Sequence, residues 1–374
     1  MYNIRKTCVC CSQQLTNGTE LFEKDYNAIV GQHYHDVSID MIFVNYNVYK
    51  CHNCNTVQNK YLVTPNILYS SQHVDTYGTT WKKLCYSFSN FVKTNTNYEC
   101  EITEIGGGSG FLCDQLQSEF KYKNYTIIDP QYKGRTDNRT IYNMIYEEYA
   151  KKFSSNFDVV IISHLFEHLY EPNEFIKSLS NKGTKHILMC HPNFDKYIEN
   201  LHNNILNVEH TFFVNNDFLI NWFNNNGFNL VDSNFYSDHS IMFHFASNPQ
   251  PNPQSSILIN NLNLFEKYMM KLKQNIKKLD SIVTNHNTIY MWPASYYSIQ
   301  YITYLEPEKI KKIVLIDNSP LKHGKYLYSI PVKLLTYYID NNNNEPLLLF
   351  KCAFLNEMLD QISKLNMKIN YTIL

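Results

Sequence analysis

The sequence predicts an α/β protein: a Rossmann-like core, an N-terminal metal-binding block and a small C-terminal α/β block. Three observations lead there. From about residue 76 to 248, apolar strand-like runs alternate with helix-like runs, the pattern of a mostly parallel sheet wrapped by helices. A glycine-rich stretch, Glu104-Ile105-Gly106-Gly107-Gly108-Ser109-Gly110, stands between one such strand and one such helix. Two Cys-x-x-Cys pairs, Cys8/Cys11 and Cys51/Cys54, precede both. The chain divides on this reading into residues 1–75, 76–248 and 255–374, with turn-rich Pro249 to Ser256 at the second boundary.

At 374 residues, with 44% hydrophobic and 15% aromatic side chains, the chain can bury sizeable cores. Its 33 Lys+Arg balance 34 Asp+Glu, and this argues against a broad nucleic-acid footprint, which needs clustered basic residues. No apolar run reaches the roughly 18 residues that span a membrane. The N-terminus leads straight into cysteines and lacks the pattern of a signal peptide. The expectation is a cytoplasmic monomer or weak homodimer with no membrane and no nucleic-acid partner.

Ten cysteines are present, five of them in the first 54 residues: Cys8, Cys10, Cys11, Cys51 and Cys54. In a cytoplasmic chain, paired cysteines point to metal before disulfide. Each Cys-x-x-Cys sets two thiolates on one tight turn, and two such knuckles complete a closed, structural tetrahedral zinc site from Cys8, Cys11, Cys51 and Cys54. Cys10 is left over, although it could exchange with Cys11. The 39 residues between Cys11 and Cys51 exceed an ordinary zinc-ribbon spacing, so strands are expected between the knuckles. The competing reading is four unrelated thiols.

The second block opens with a helix over Tyr77–Val92, whose Trp81, Leu84, Phe88 and Phe91 recur at near-helical spacing. Strand one, Tyr98–Ile105, runs into the glycine stretch, and a helix over Phe111–Phe120 leaves it. Glycines at 106, 108 and 110 let the chain turn sharply and let a ligand approach the backbone. The helix that follows aims its amides at that ligand. The stretch looks like E-x-G-x-G-x-G, motif I of class I S-adenosylmethionine (SAM) methyltransferases, whose loop lies under the methionine end of SAM; a Rossmann dehydrogenase carries a similar loop. Glu104, Gly106, Gly107, Gly108 and Gly110 are therefore candidate cofactor residues.

Strand two, Tyr125–Asp129, ends in Asp129-Pro130. Asp129 falls 19 residues after Gly110, a position suited to bidentate hydrogen bonding with ribose hydroxyls, or else to a plain turn. Thr140–Tyr146 reads as a short strand with Asn143-Met144 near the adenine. Strand four, Phe157–Ser163, is continuously apolar, as a buried parallel strand is. It ends in Ser163-His164-Leu165-Phe166-Glu167-His168, close to the F-D-x-V-x-x-x-x-x-x-E-H pattern of the same methyltransferases. Ser163 and His164 join the cofactor set, and His168 is read as structural. Strand five, His186–Cys190, leads into His191. Ligands of open α/β sheets bind at the carboxyl ends of strands, and the glycine loop, Asp129, His164 and His191 all map there. A helix over Asn216–Asn226 and two strands between Phe228 and Phe245 close the block. The third block reads as a helix over Ile257–Asn285, strands at Thr288–Trp292 and Lys312–Asp317, then Leu347–Phe350 and a C-terminal helix.

Zinc knuckles, a SAM domain and a small α/β domain in that order resemble the nucleotide-sugar C-methyltransferases, which put a branching methyl on dTDP-keto-deoxysugars. The likeness runs nearly end to end. It rests on the four paired cysteines, Leu68-Tyr69-Ser70-Ser71, the glycine loop, His164 to His168, Glu209-His210, and Asp317 to Tyr326. It implies SAM and structural Zn2+ as cofactors and a nucleotide-sugar held between the zinc and central domains, near Tyr69, Ser70, Asn207 and His239. The C-terminal Rossmann-like domain would complete the cleft. The family's Y-H-E-H reads Asn207-Val208-Glu209-His210 here, its H-G-G-S-L-R reads Ser237 to Met242, and its G-A-S reads Pro293-Ala294-Ser295.

Methyl transfer from SAM needs a nucleophile held in line and a base to generate it. His210 is the first candidate base, because imidazole titrates near neutral pH. Glu209 would orient it or bind a sugar hydroxyl. Neighbours on a strand point opposite ways, so both reach one site only if 207–210 is a loop. His191, with His164 and His239, stands in reserve. Lys322 and Lys325 suit either a diphosphate contact or a solvated turn. The altered signature keeps sugar O-methylation open. A zinc-stapled binding module without catalysis, and an RNA or protein methyltransferase, are the readings from other classes.

Overall fold

Val159, Val160, Ile161 and Ile162 have no solvent exposure, and they form the middle of the central sheet. Their side chains alternate between its faces. Val160 and Ile162 pack with Phe166, Phe175 and Trp222, and Val159 and Ile161 with Leu84, Phe88 and Leu116. This two-sided burial is why the strand reads as an unbroken apolar run.

The computed structural model describes residues 2–27, 34–35, 43–68, 79–247, 265–327, 329–341, 344–365 and 369–374. Tyr69 and Ser70, expected near the substrate, lie outside the described residues.

The central sheet comprises β1 (Glu101–Ile105), β2 (Asn124–Ile128), β3 (Thr140–Tyr142), β4 (Val159–Ser163), β5 (His186–Pro192), β6 (Phe228–Phe235) and β7 (Ser240–Ser247). Their spatial order is β6-β7-β5-β4-β1-β2-β3. The first five pair in parallel, and β7 lies antiparallel between β5 and β6. The expected third strand stops at Tyr142, and Tyr146 instead opens the helix Tyr146–Lys152.

In the N-terminal block, Thr19–Asn27 and Phe43–Lys50 occupy the interval between the knuckles as an antiparallel pair, extended by Val57–Asn59. The fourth strand of that sheet is Phe212–Phe213, which belongs to the central block. The C-terminal sheet has seven strands in the order Tyr371–Ile373, Leu347–Leu349, Ile289–Trp292, Ile313–Ile316, Ile330–Lys333, Tyr326–Leu327 and Tyr34–His35. Its edge strand Tyr371–Ile373 follows the helix Leu355–Ser363 and is too short to announce itself in the pattern. One apolar core joins the first and third blocks: Val44, Tyr46 and Val48 share it with Tyr197, Leu206, Leu272, Leu315 and Leu348.

The segment bearing Glu209-His210 is thus held by the N-terminal block. The Asn59 amide N–H donates to the Thr211 carbonyl (2.9 Å) and its side chain to the His210 carbonyl (2.7 Å). Arg5, 6% exposed, donates to the carbonyls of Thr211 and Tyr170, each at 2.8 Å. Arg5→Met would take the guanidinium donor from the Tyr170 carbonyl and leave the Thr211 carbonyl with the Asn59 N–H alone. It is expected to lower stability by about 2–4 kcal/mol, read as a drop in the urea midpoint. An unchanged midpoint would mean that strand pairing alone holds the segment.

Candidate active site

The chain leaves β1 toward β2 on one side and returns to β4 on the other, so a crevice opens between the carboxyl ends of β1 and β4. A cavity of about 510 Å³ lies there. The loop after β1 supplies Gly106 and Gly108, and the end of β2 supplies Ile128, Asp129 and Pro130. The end of β4 supplies Ser163, His164 and Leu165, with His168 and Tyr170 beyond. A larger hollow of about 1120 Å³ sits at the opposite, amino ends of the strands. Its Arg139 is paired with Asp114 at 2.9 Å, and it has neither the glycine loop nor the histidines, so the chemistry selects the smaller cavity.

Gly106 and Gly108 have φ of +80° and +53°, the left-handed region that L side chains avoid. A Cβ on Gly107 would come within 2.7 Å of the Ile127 side chain. Asp129 is oriented by the backbone: one carboxylate oxygen accepts the Gly108 N–H (2.9 Å), the other the Gln131 N–H (2.7 Å). A carboxylate accepts about four hydrogen bonds, so these two leave capacity for a ligand. Asn143 and Met144 do not line the cavity; the next two residues, Ile145 and Tyr146, do.

Glu104 is 3% exposed, lies outside the cavity lining, and accepts the Tyr125 hydroxyl at 2.7 Å. Gly107 and Gly110 likewise shape the loop without lining the cavity. Burial raises the Glu104 pKa, the Tyr125 hydrogen bond opposes the rise and Asp129 adds to it, which leaves it at about 7 against an ordinary 4.5. Between those values the folded chain keeps a proton that the unfolded chain gives up. Stability should therefore fall by about 3 kcal/mol as pH rises through that window. Glu104→Gln is expected to flatten this part of the profile of melting temperature against pH; superimposable profiles would exclude Glu104 as its source.

His164 follows β4 with φ +49°, a strained conformation, and lines the cavity. Its Nε2 lies 3.1 Å from the Ser240 hydroxyl, which lies 2.6 Å from His239 Nδ1. Trp81, from the helix Thr79–Asn95, packs edge-on against both rings. Burial pushes His164 down to about 4 and His239, with help from His164, to about 3. His191 is 1% exposed, with Nδ1 donating to the Pro192 carbonyl (2.9 Å), and burial holds it at about 4. It does not line the cavity.

Residues 207–210 form the turn that the two-residue argument required, closed by His210 N–H to the Asn207 carbonyl (3.0 Å). His210 is nonetheless 3% exposed and stands behind His168, with ring centroids 5.3 Å apart. Burial drives its pKa well below the ordinary value, and His168 adds to the shift. Glu209 reaches His168 instead, with Oε2 3.8 Å from Nδ1. Asn207 holds the turn, its side-chain oxygen accepting the Glu209 N–H at 3.0 Å. The residue that sequence reasoning set aside is therefore the one on the cavity wall: His168 stands between Glu167 and Glu209. The Glu-His pair after strand four carried that signal.

In the N-terminal block, Sγ atoms of Cys8 and Cys54 lie 3.5 Å apart and those of Cys11 and Cys51 3.6 Å, all four within 4.8 Å of one another. Tetrahedral Zn–S bonds of about 2.3 Å require edges of about 3.8 Å, so the four thiols fit such an ion. The two knuckles repeat one design: Ser12 N–H bonds to the Cys8 carbonyl and Asn55 N–H to the Cys51 carbonyl, each at 3.0 Å. Ser12 and Asn55 both have positive φ. Cys10 is outside the four.

Residues 82–233 match the family model of a methyltransferase domain. Similar solved structures include the 1,6-didemethyltoxoflavin N1-methyltransferase of Burkholderia thailandensis (9% identity, 54% of this chain and 96% of that one, TM-score 0.40). The magnesium protoporphyrin IX methyltransferase of Synechocystis is another (12% identity, 49% of this chain and 89% of that one, TM-score 0.36). A search of curated proteins returned no match. Over residues 82–233 the central block matches a methyltransferase domain, and its sheet is Rossmann-like. Among the described residues, no helix is long and apolar enough to cross a membrane.

Proposed function

We propose that the protein transfers the methyl group of SAM to a nucleotide-linked keto- or deoxysugar, with the nucleophile activated by the imidazole and carboxylate groups around His168. One observation carries this reading. The glycine loop and Asp129 line the cavity from the ends of β1 and β2, which form one wall, and His164 and His168 line it from the end of β4, which forms another. The first wall suits the methionine and ribose of SAM. The second offers imidazoles next to where a methyl acceptor would sit.

For transfer to carbon, the proton α to the sugar ketone passes to the His168 imidazole and the enolate carbon attacks the methyl. The sulfur–methyl bond breaks and neutral S-adenosylhomocysteine leaves. His168, flanked by Glu167 and Glu209, is the group of this set nearest the acceptor side. His210 and Glu209 act through it from behind, and His164 and Ser163 meet the cofactor. The nucleotide-sugar rests on the sequence resemblance. It is supported by the way the N-terminal block grips the 207–213 segment behind His168, and by Pro65 of that block, which lines the cavity. His239, behind His164, would then act through that ring.

Transfer to a sugar oxygen is the second reading, favoured by Asn207-Val208 where the resembling enzymes carry Tyr-His. Labelled SAM offered with keto and fully hydroxylated nucleotide-sugars, with the methyl located by NMR, separates the two. No transfer to any sugar despite SAM binding would overturn both. His168→Ala and Glu209→Gln are each expected to slow transfer by about 10²–10⁴-fold with SAM affinity unchanged. Full transfer by both variants would remove the cluster from the chemistry.

The four clustered cysteines are assigned a structural Zn2+. Gln58 Nε2 (3.2 Å from Cys8 Sγ) and the Thr56 hydroxyl (3.1 Å from Cys54 Sγ) would donate to the thiolates that hold it. Because such binding energy is folding energy, Cys51→Ser is expected to lose one zinc per chain and to render the N-terminal block protease-sensitive. Full zinc content in the variant would refute the assignment.

A further inference from the structure

We propose that Glu167, His168 and His210 form a second metal site, for a divalent transition-metal ion, opening onto the acceptor side of the cavity. Glu167 is fully buried, and neither of its carboxylate oxygens has a hydrogen-bond partner among the described residues. A carboxylate stripped of both water and hydrogen bonds is costly unless a cation faces it. Among the described residues no lysine or arginine pairs with it; its neighbours are His164 Nδ1 at 3.4 Å and His168 Nε2 at 3.8 Å. His210 Nδ1 is also buried without a hydrogen-bond partner. One donor atom from each of Glu167, His168 and His210 lies within 4.8 Å of the others. An ion with bonds of about 2.1 Å holds neighbouring ligands about 3.0–3.4 Å apart, so side-chain rotations that draw the donors together by about 1–2 Å close the site.

The frame around these donors is built. Glu167 and His168 sit on one tight turn, Phe166–His168, and the Thr211 N–H donates to the Glu167 carbonyl at 2.9 Å. That bond ties the turn to the segment carrying His210. The other nitrogen of His168 faces Glu209, the carboxylate–histidine–metal arrangement that orients a ligand ring and raises its basicity. Two imidazoles and one carboxylate favour zinc, iron or cobalt over magnesium or calcium. The site shares no residue with the four cysteines. Because His168 lines the cavity, the ion's open positions would face the acceptor. There it would polarise a carbonyl or hydroxyl oxygen and make the neighbouring proton easier to lose to water. With the ion bound, His168 serves the proposed reaction as its ligand and not as a free base; that role rests on the proposed function, and the binding does not.

The test uses the full chain with its cysteine-bound zinc retained, treated with a mild chelator and titrated with Co2+ alone. The expected result is one added equivalent with weak d–d absorption and no thiolate charge-transfer band. Glu167→Gln and His168→Gln should each weaken that binding at least about tenfold, while circular dichroism and cysteine-bound zinc stay unchanged. No Co2+ beyond the thiolate site, or binding indifferent to both substitutions, overturns the proposal. Co2+ binding without transfer to any nucleotide-sugar would uphold the site and overturn the substrate reading. Sugar methylation in a chain that binds no Co2+ would do the reverse.

Discussion

The antiparallel pairing of Phe212–Phe213 with Val57–Asn59 is the contact on which the rest of the site depends. It makes a segment of the central block into an edge strand of the N-terminal sheet, and Arg5 and Asn59 hold the carbonyls just before it. Without that pairing, Glu209 and His210 would belong to an ordinary surface loop. With it, they are buried behind His168 in a fixed turn. The paired cysteines matter for the same reason: they close the knuckles of the block that supplies the partner strand.

Desolvation governs the chemistry of this region. Five histidines, at 164, 191, 202, 210 and 239, have their pKa values lowered chiefly by burial. Neutral imidazoles suit proton transfer or metal ligation, whereas a cluster of cations would repel the sulfonium of SAM. At the other wall, backbone amides from the glycine loop and from Gln131 hold the Asp129 carboxylate in place.

The core was legible because its signals are local. The glycine loop, the spacing to Asp129 and the apolar run of β4 each announce a backbone geometry that only certain residues tolerate. The paired cysteines were legible for the same reason. Features that depend on which way a side chain turns were not. His168 read as structural and His210 as the base, yet His168 is the one on the cavity wall, since a one-turn helix after β4 rotates it outward. Glu167 carried no expectation, because its burial comes from packing by the 207–213 segment, more than forty residues on. The Asn143-Met144 reading missed by two residues because the helix at Tyr146 begins where a strand was expected.

The C-terminal block shows how a motif can be occupied by structure. Lys322 reads in the sequence as either a cation for a diphosphate or part of a solvated turn. In the fold it is 8% exposed and donates to Asp317 at 2.8 Å and to the Ala294 carbonyl at 3.0 Å. It thereby joins the turn after Ile313–Ile316 to the one after Ile289–Trp292. A buried lysine so engaged braces the carboxyl edge of its own sheet, and breaking the pair to meet a diphosphate would expose Asp317 to that anion. The block's contribution to the site therefore runs through its core. Leu315 and Leu348 pack in the same cluster as Tyr46 and Leu206, so the third block stiffens the sheet that grips the Glu209-His210 turn.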